Sequence, residues 1–466
     1  MQKEVYIKRW YDYIPHYVVI LFFFILLVSF MSHILPAGSY ERIEVDGRMQ
    51  VVAGSYAQID SNPASLLDIF LSIPLGFKLA VEIIFVVFAG GIMFGLLEKT
   101  KTIENMVGQI LFTIGLKRRY AIVIVTSILF WLLGTTVGYE TNIALVPLAA
   151  VLSLAIGGDL ILAAGMSVGA MTVGFGLSPI NPFTVGTGHR IAEIDLFSGW
   201  ELRLALCIIG LLVISWYNLR YLKKISNDPS KSLGMHLNTE GLTLVKPIES
   251  YKMTWRNWLC LLIFITGMGV SIHGIFNWSW LFNELSAVFI MVGVFCAIVS
   301  GLSMSQISES VLEGVAFVAP GAFMVGYASA IRVIMESSQI ADTISHGLSL
   351  ALQELPIYLS AVSMCLSQCV LNLFIPSGSG QALATLPVMI PLGQVLGLSP
   401  QVSILAFQIG DGVTNLFNPS LGGLIAMLGM CRVPFDRWLR FILPLTFIIL
   451  AFALAGLILA VAIGYQ

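Results

Sequence analysis

Two carboxylates stand inside apolar sequence, and helix-breaking residues surround both. Glu140 lies in Gly138-Tyr139-Glu140-Thr141-Asn142, and Asp411 opens a polar stretch to Ser420 that holds Asn415 and Asn418. Two further stretches share this composition without an acid: Ser178–Gly188, with Asn181 and Thr184, and Ser377-Gly378-Ser379-Gly380-Gln381. In hydrocarbon every backbone N–H and C=O needs a partner, so irregular backbone survives there only inside protein or against a water-filled cavity. A carboxylate at that depth is costly and marks function. Helix N-termini would offer N–H groups to a substrate carboxylate, while unwound carbonyls and acids suit Na⁺, H⁺ or an ammonium group. The expected substrate contacts are Tyr139, Glu140, Thr141, Asn142, Ser178, Asn181, Thr184, Ser377, Gly378, Ser379, Gly380, Gln381, Asn415 and Asn418. Glu140, Asp411, Asn142 and Ser379 are the expected contacts of a coupling ion.

This is the chemistry of binding rather than of catalysis. Ser377 and Ser379 do not form a G-x-S-x-G elbow, and the chain has neither a G-x-x-x-x-G-K-[ST] nor an H-E-x-x-H motif. No nucleophile–base pair is visible, so the expectation is a non-enzyme without cofactor, apart from Na⁺ or H⁺ as coupling ion. Cys365 and Cys369 are spaced i,i+4, but with the other four cysteines they lie in or beside apolar segments and read as small buried hydrophobes. No structural metal is expected.

The elements that must position these residues are membrane helices. Of 466 residues, 57% are apolar and 11% charged, against about 25% charged in soluble domains. Mean hydropathy is +0.90. A net charge of −2 gives no pull toward nucleic acid. Lys3, Lys8 and Arg9 precede an apolar run, Tyr17–Leu35, that is too long for a signal peptide and places the N-terminus in the cytoplasm. A polar stretch from Pro36 to about Ser65 then lies outside, Leu67–Phe77 at the interface, and Ala80–Leu97 spans back. Lys99, Lys101, Lys117, Arg118 and Arg119 mark the cytoplasm, as do the basic residues of Arg220–Arg256, the one long polar connection. Glu336–Pro356 lacks Lys and Arg and belongs outside. The whole is a multi-pass protein of the bacterial inner membrane, with lipid and a small-molecule substrate as partners.

The chain repeats itself at an offset of 240 residues. Pro147 and Pro179 match Pro387 and Pro419 without a gap, and Gly138, Ala144, Leu152, Gly157 and Val173 match Gly378, Ala384, Leu392, Gly397 and Val413. Gly90-Gly-Ile-Met-Phe-Gly95 likewise resembles Gly321-Ala-Phe-Met-Val-Gly326. The charge pattern gives the copies opposite orientations, as in alternating-access transporters that bind substrate between inverted repeats. Glu140 falls opposite Gly380 and Asp411 opposite Met171, so both acids break the symmetry and are expected to select the solute or ion. Asp159 reads as a helix N-cap, Arg332 as a snorkelling side chain or a gate, and His189 with Arg190 as outer-rim residues.

Leu35-Pro-Ala-Gly-Ser-Tyr40, Val51-Val-Ala-Gly-Ser-Tyr56, Gly138-Tyr-Glu-Thr-Asn142, Leu177-Ser-Pro-Ile-Asn-Pro-Phe183 and Pro376-Ser-Gly-Ser-Gly-Gln-Ala382 together resemble the YfcC-type members of the C4-dicarboxylate anaerobic carrier-like family. That family sits in the ion transporter superfamily with the divalent-anion/sodium symporters. The resemblance implies an all-α polytopic fold with scaffold and transport domains, two re-entrant hairpins, two broken helices, an elevator-like mechanism and a homodimer. Mapped here, residues 1–65 are the first helix and outer loop. Residues 66–221 are the first repeat, with its hairpin at 120–157 and broken helix at 159–190. A linker at 222–256 and scaffold helices at 257–311 follow. Residues 312–466 are the second repeat, with its hairpin at 357–397 and broken helix at 400–430. The symporters carry Ser-Asn-Thr at their hairpin tips, where this chain has Tyr139-Glu-Thr-Asn142 and Ser377-Gly-Ser-Gly380. Donors combined with two acids, and no Lys or Arg at mid-depth, favour an amino acid, especially a basic one. A Na⁺- or H⁺-coupled C4-dicarboxylate transporter is the alternative, with the acids holding the ion.

Overall fold

The computed structural model describes residues 17–45, 48–52, 54–115, 118–136, 139–244, 250–278, 280–351 and 355–466, and of some of these, Glu140 and Thr141 among them, only the backbone. The chain starts with α1 (Tyr17–Ile34). Two antiparallel ribbons follow, β1 (Gly38–Ser39) with β4 (Ala57–Gln58) and β2 (Arg42–Val45) with β3 (Arg48–Val51). These ribbons are the departure from an all-α chain. Then come α2 (Leu66–Leu79), α3 (Val81–Lys99), α4 (Thr102–Ile114) and α5 (Arg119–Thr136). A 3₁₀ turn at Glu140–Leu145 leads into α6 (Val146–Ala155). Next are α7 (Leu160–Ala164), a wide π turn, α8 (Ala170–Gly176), a second π turn at Pro182–Gly186, α9 (Thr187–Ile191) and α10 (Trp200–Asn227). The second half holds α11 (Trp255–Asn277), α12 (Phe282–Ser300), α13 (Met304–Ser337), α14 (Ala341–Ala351), α15 (Ile357–Phe374), α16 (Gly378–Val395), α17 (Pro400–Thr414), α18 (Gly422–Met430) and α19 (Phe435–Ala462).

Among the described residues, eight helices are long and apolar enough to cross a bilayer: α3, α5, α10, α11, α12, α13, α15 and α19. They pack in two groups. One frame is built by α1, α2, α3, α11, α12 and α13, with α3 lying along both α12 and α13. In the other group α5 packs along α8, α15 packs along α17, and α10 and α19 pack against them. The groups meet where α18 lies on α13 and where the 140–145 turn lies on α3. The 34 residues of α13 make it longer than the Leu312–Ile334 span read from hydropathy. At about 1.5 Å per residue it reaches roughly 51 Å, well beyond the ~30 Å hydrocarbon core. Its start is set by Ser303, whose hydroxyl accepts from Gln306 N–H at 3.3 Å while the Gln306 side chain accepts from Ser303 N–H at 2.9 Å.

The ribbons are held to α14. Tyr40 N–H and the Arg42 guanidinium donate to the two Asp342 oxygens at 3.0 and 2.8 Å, and the Tyr56 ring stacks on His346 with centroids 4.0 Å apart. At the end of the fold that carries residues 228–241, Asp159 caps α7 through Leu162 N–H at 2.8 Å. The same carboxylate accepts from Tyr221 Oη at 2.7 Å, Ser232 Oγ at 2.6 Å and Gly234 N–H at 3.1 Å. Arg332 pairs with Glu336 at 2.6 Å on an exposed surface.

Candidate functional site

Both expected helix breaks are present, and sequence-local caps build each one. In the first, α8 ends at Gly176, the chain turns and bends through residues 177–180, and it is extended at Asn181. The Asn181 side chain then accepts from Phe183 N–H at 2.9 Å and Thr184 N–H at 3.1 Å, and Pro182 starts the new turn without an N–H to satisfy. Ser178 Oγ donates to Thr135 O at 2.7 Å, tying the break to the end of α5. In the second break α17 ends at Thr414, and α18 restarts at Gly422. Asn418 Nδ2 lies 2.8 Å from both the backbone oxygen and Oδ1 of Asn372, and Ser420 N–H donates to Asn418 Oδ1 at 2.9 Å. Trp438 Nε1 donates to Leu416 O at 2.8 Å. Unwound backbone here is thus supplied with partners from neighbouring helices, as burial demands.

Asp411 differs from its expected place. It does not open the break but sits inside α17, because Asn415 N–H still closes a helical bond onto Asp411 O at 3.1 Å. Its side chain is 0% exposed. Asn372 Nδ2 donates to Asp411 Oδ1 at 2.6 Å, and Asn415 Nδ2 lies 3.4 Å from the same oxygen. Asn372 Nδ2 is also 3.1 Å from Gln381 Oε1. Gln381 Nε2 donates in turn to Gln368 Oε1 at 2.7 Å, and Gln368 Nε2 to Thr385 Oγ1 at 3.0 Å. A buried amide network therefore runs from the carboxylate into both arms of the 357–395 segment.

The two breaks approach each other around this carboxylate. α8 and α17 cross at Gly176 and Gly412, where a Cβ on Gly412 would stand 2.0 Å from Gly176 Cα. Only glycine permits that approach. Gly378, at the start of α16, fills the space beside the crossing. A Cβ there would meet Thr184 Cγ2 at 2.8 Å, Phe175 Cζ at 3.3 Å and Asp411 Oδ2 at 3.4 Å. Ser377 caps α16 by accepting from Gly380 N–H at 3.3 Å. The Tyr139 ring lies 6.0 Å from that of Phe175, centroid to centroid. Gln408, one turn before Asp411, donates through Nε2 to Ser178 O at 2.5 Å.

Thus Ser178, Asn181, Thr184, Ser377, Gly378, Gln381, Asn415, Asn418, Tyr139 and Asp411 surround one buried region. Ser379 and Gly380 lie half-buried in the first turn of α16. Asn142 lines a small cavity with Leu133, Leu145, Met268, Ser271 and Phe289, between the 140–145 turn and the frame. The side chains of Glu140 and Thr141, and all of Gly138, lie outside the described residues. His189 is corrected: it is fully buried, with Nδ1 3.0 Å from Asp195 O, and only Arg190 is exposed. The turn at 192–199 folds back and covers the imidazole.

Sequence reading missed Asn372, Gln368, Thr385 and Gln408. The signal was available: each is a polar side chain inside an apolar arm, which in hydrocarbon demands a partner. Asn415 Oδ1, Gln408 Oε1, Thr184 Oγ1 and Asn181 Nδ2 are buried at the site and have no hydrogen-bond partner among the described residues. Two of them can only accept, and the Thr184 hydroxyl can accept as well as donate. No Lys or Arg occurs between Tyr120 and His189 or between Val333 and Cys431. A buried acid beside the acceptors Asn415 Oδ1 and Gln408 Oε1 is chemistry suited to a cationic group.

A family model described as C4-dicarboxylate anaerobic carrier matches residues 14–462. YfcC of Escherichia coli (strain K12), named as a candidate basic amino acid antiporter, is 29% identical over 93% of this chain and 93% of its own length. An uncharacterized protein of Haemophilus influenzae is 28% identical over 84% of this chain and 78% of its own. Among solved structures, the YdaH transporter of Alcanivorax borkumensis aligns over 97% of this chain and 99% of its own, at 16% identity and a TM-score of 0.44. MtrF of Neisseria gonorrhoeae aligns over 96% and 95%, at 18% identity and the same TM-score of 0.44.

Proposed function

The chain belongs to the C4-dicarboxylate anaerobic carrier family, and on that premise we propose that it is a secondary active transporter for an amino acid, a basic one by preference. The observation that carries the choice of solute is the imbalance around Asp411. The buried carboxylate, Asn415 Oδ1 and Gln408 Oε1 offer negative charge and acceptors, and the segments that build the site, residues 120–189 and 333–431, contain no Lys or Arg. A substrate ammonium or guanidinium group matches them, and its carboxylate meets the N–H groups of the first turn of α16. The name of the Escherichia coli relative agrees with this preference.

Movement follows from the packing in two groups. The 240-residue repeat relates α5 to α15 and α8 to α17, and α5 packs on α8 as α15 packs on α17, which supports an inverted repeat. The second group, with hairpin arms α5–α6 and α15–α16, carries the site past the frame in an elevator-like step, and the frame joins two copies. The face that carries Arg220–Arg256 is cytoplasmic by its positive charge, in the inner membrane, with the N-terminus on the same side.

The second reading is C4-dicarboxylate transport, which the family description favours. Asp411 then holds Na⁺ or H⁺ and the solute carboxylates take the N–H groups. Counterflow in proteoliposomes separates the two, comparing arginine, ornithine, neutral amino acids and succinate with and without a Na⁺ or pH gradient. The proposal expects trans-stimulated arginine or ornithine uptake. Accumulation of succinate and of no amino acid would overturn it.

A further inference from the structure

Two cavities open beside the contact of α18 with α13, one of about 550 Å³ and one of about 450 Å³. They share three lining residues: Ala316 and Phe317 on α13, and Arg432 in the turn after α18. The Arg432 guanidinium stands over the Phe317 ring, 4.8 Å from its centroid, so this pair is the partition between them. The larger cavity opens among Glu98, Glu240 and Glu313, while the smaller follows the helices toward Pro320, Gly321 and Ile425.

Arg432 is placed with care. Its backbone is left-handed, with φ +53°, a cost for a non-glycine residue that surrounding contacts must offset. Arg432 Nη1 donates to Glu240 O at 2.7 Å and lies 3.3 Å from Asn238 O. These carbonyls belong to the polar connection between the two halves of the chain. The connection is pinned on either side of the contact. Leu242 is 1% exposed within the apolar core, and Gly241, at φ +74°, lies against the α3 carboxylate Glu98. The interface that these contacts bridge is smooth: a Cβ on Gly429 would stand 2.9 Å from Gly321 Cα.

We propose that residues 238–241 are a strap that latches the turn after α18 to α3 and α13, with Arg432 as its buckle, and that releasing Arg432 joins the two cavities and frees α18 to slide along α13. The strap holds the conformation described here. Its hydrogen bonds are to backbone carbonyls, with the Glu240 and Glu98 carboxylates as neighbouring charges. Part of this inference, the sliding, rests on the transporter reading above; the latch itself does not.

The test is hydrogen exchange on the full-length protein in liposomes, beside counterflow on the same preparations. Arg432→Ala is expected to raise amide exchange at least tenfold in residues 236–242 and in the last turn of α18, and to leave α5, α8, α15 and α17 protected. Phe317→Leu is expected to give a smaller change in the same peptides. Glu240→Gln keeps the carbonyl acceptor but removes a carboxylate charge beside Arg432, and is expected to raise exchange in the same peptides by less than Arg432→Ala does. Unchanged exchange at 236–242 in Arg432→Ala would overturn the latch, whatever transport does. Faster exchange there with an unaltered counterflow rate would retain the latch and overturn its control of sliding.

Discussion

Asn372 on α15 holds Asp411 on α17 through one short bond, Nδ2 to Oδ1 at 2.6 Å, with both side chains 0% exposed. A carboxylate buried in hydrocarbon keeps its charge only if donors or cations replace the lost water. Asn372→Ala removes that donor, and a buried hydrogen bond to a charged group is worth about 1.5–3 kcal/mol. Exchange activity is therefore expected to fall by roughly tenfold or more. Asn372→Asp sets a second acid beside the first and is expected to be the more damaging. Initial rates in proteoliposomes check both, and wild-type rates in Asn372→Ala would remove the bond from the account.

The crossing of α8 and α17 makes a stability prediction. Gly412→Ala puts a methyl 2.0 Å from Gly176 Cα, where backbone rather than a flexible side chain must yield. Overpacking costs typically about 1–3 kcal/mol, and a backbone clash belongs at the upper end. Gly269→Ala on α11 is the control, since nothing lies within 4 Å of its new methyl. The expectation is a clear drop in Tm of the detergent-solubilised protein for the first and none for the second.

Tyr40, in the ribbon region before α2, makes a pH prediction. Burial first, then the neighbouring Asp342 charge and Tyr56, push its phenol up to about 12. The folded pKa exceeds the unfolded value of about 10, so this contribution to stability is complete below pH ~10 and is lost as pH rises toward ~12. Attachment of the ribbons to α14 should not depend on Tyr40 ionisation at physiological pH. A tyrosinate absorbance titration of wild type minus Tyr40→Phe should show a midpoint near 12. A midpoint at the ordinary tyrosine value would refute the buried placement.

Glu140 is the acid whose role depends most on sequence. Its backbone begins the 3₁₀ turn that leads into α6. Glu140→Gln keeps shape and removes charge, so it should alter the preference between arginine and neutral amino acids or the response to a Na⁺ or pH gradient. Unchanged uptake together with unchanged coupling would exclude Glu140 from solute and ion binding.

The membrane helices and both breaks were legible because each has a one-dimensional signal. Long apolar runs give the helices, and Asn-Pro pairs such as Asn181-Pro182 and Asn418-Pro419 give the ends. The cap at Asp159 was equally local. What stayed hidden was three-dimensional. Asn372 and Gln408 gain their meaning only from partners on other segments, Asp411 and Ser178. The 240-residue repeat matches the prolines but does not predict that Gly176 meets Gly412, since those two do not correspond under it. His189 looked like a rim residue because it follows the first break beside Arg190, yet helix α9 turns one inward and the other out. The helix α14 and the ribbons fell in polar stretches where composition carries no period.

The central claim is that the buried Asp411 carboxylate binds the cationic part of the transported solute. Asp411→Asn is nearly isosteric and retains an oxygen for Asn372, so the fold has little reason to change. Arginine counterflow by this variant, in proteoliposomes matched for protein content and Tm, tests the claim directly. The account predicts loss of at least 90%, equivalent to about 1.4 kcal/mol or more of lost interaction. Arginine counterflow at the wild-type rate with unchanged affinity would contradict it.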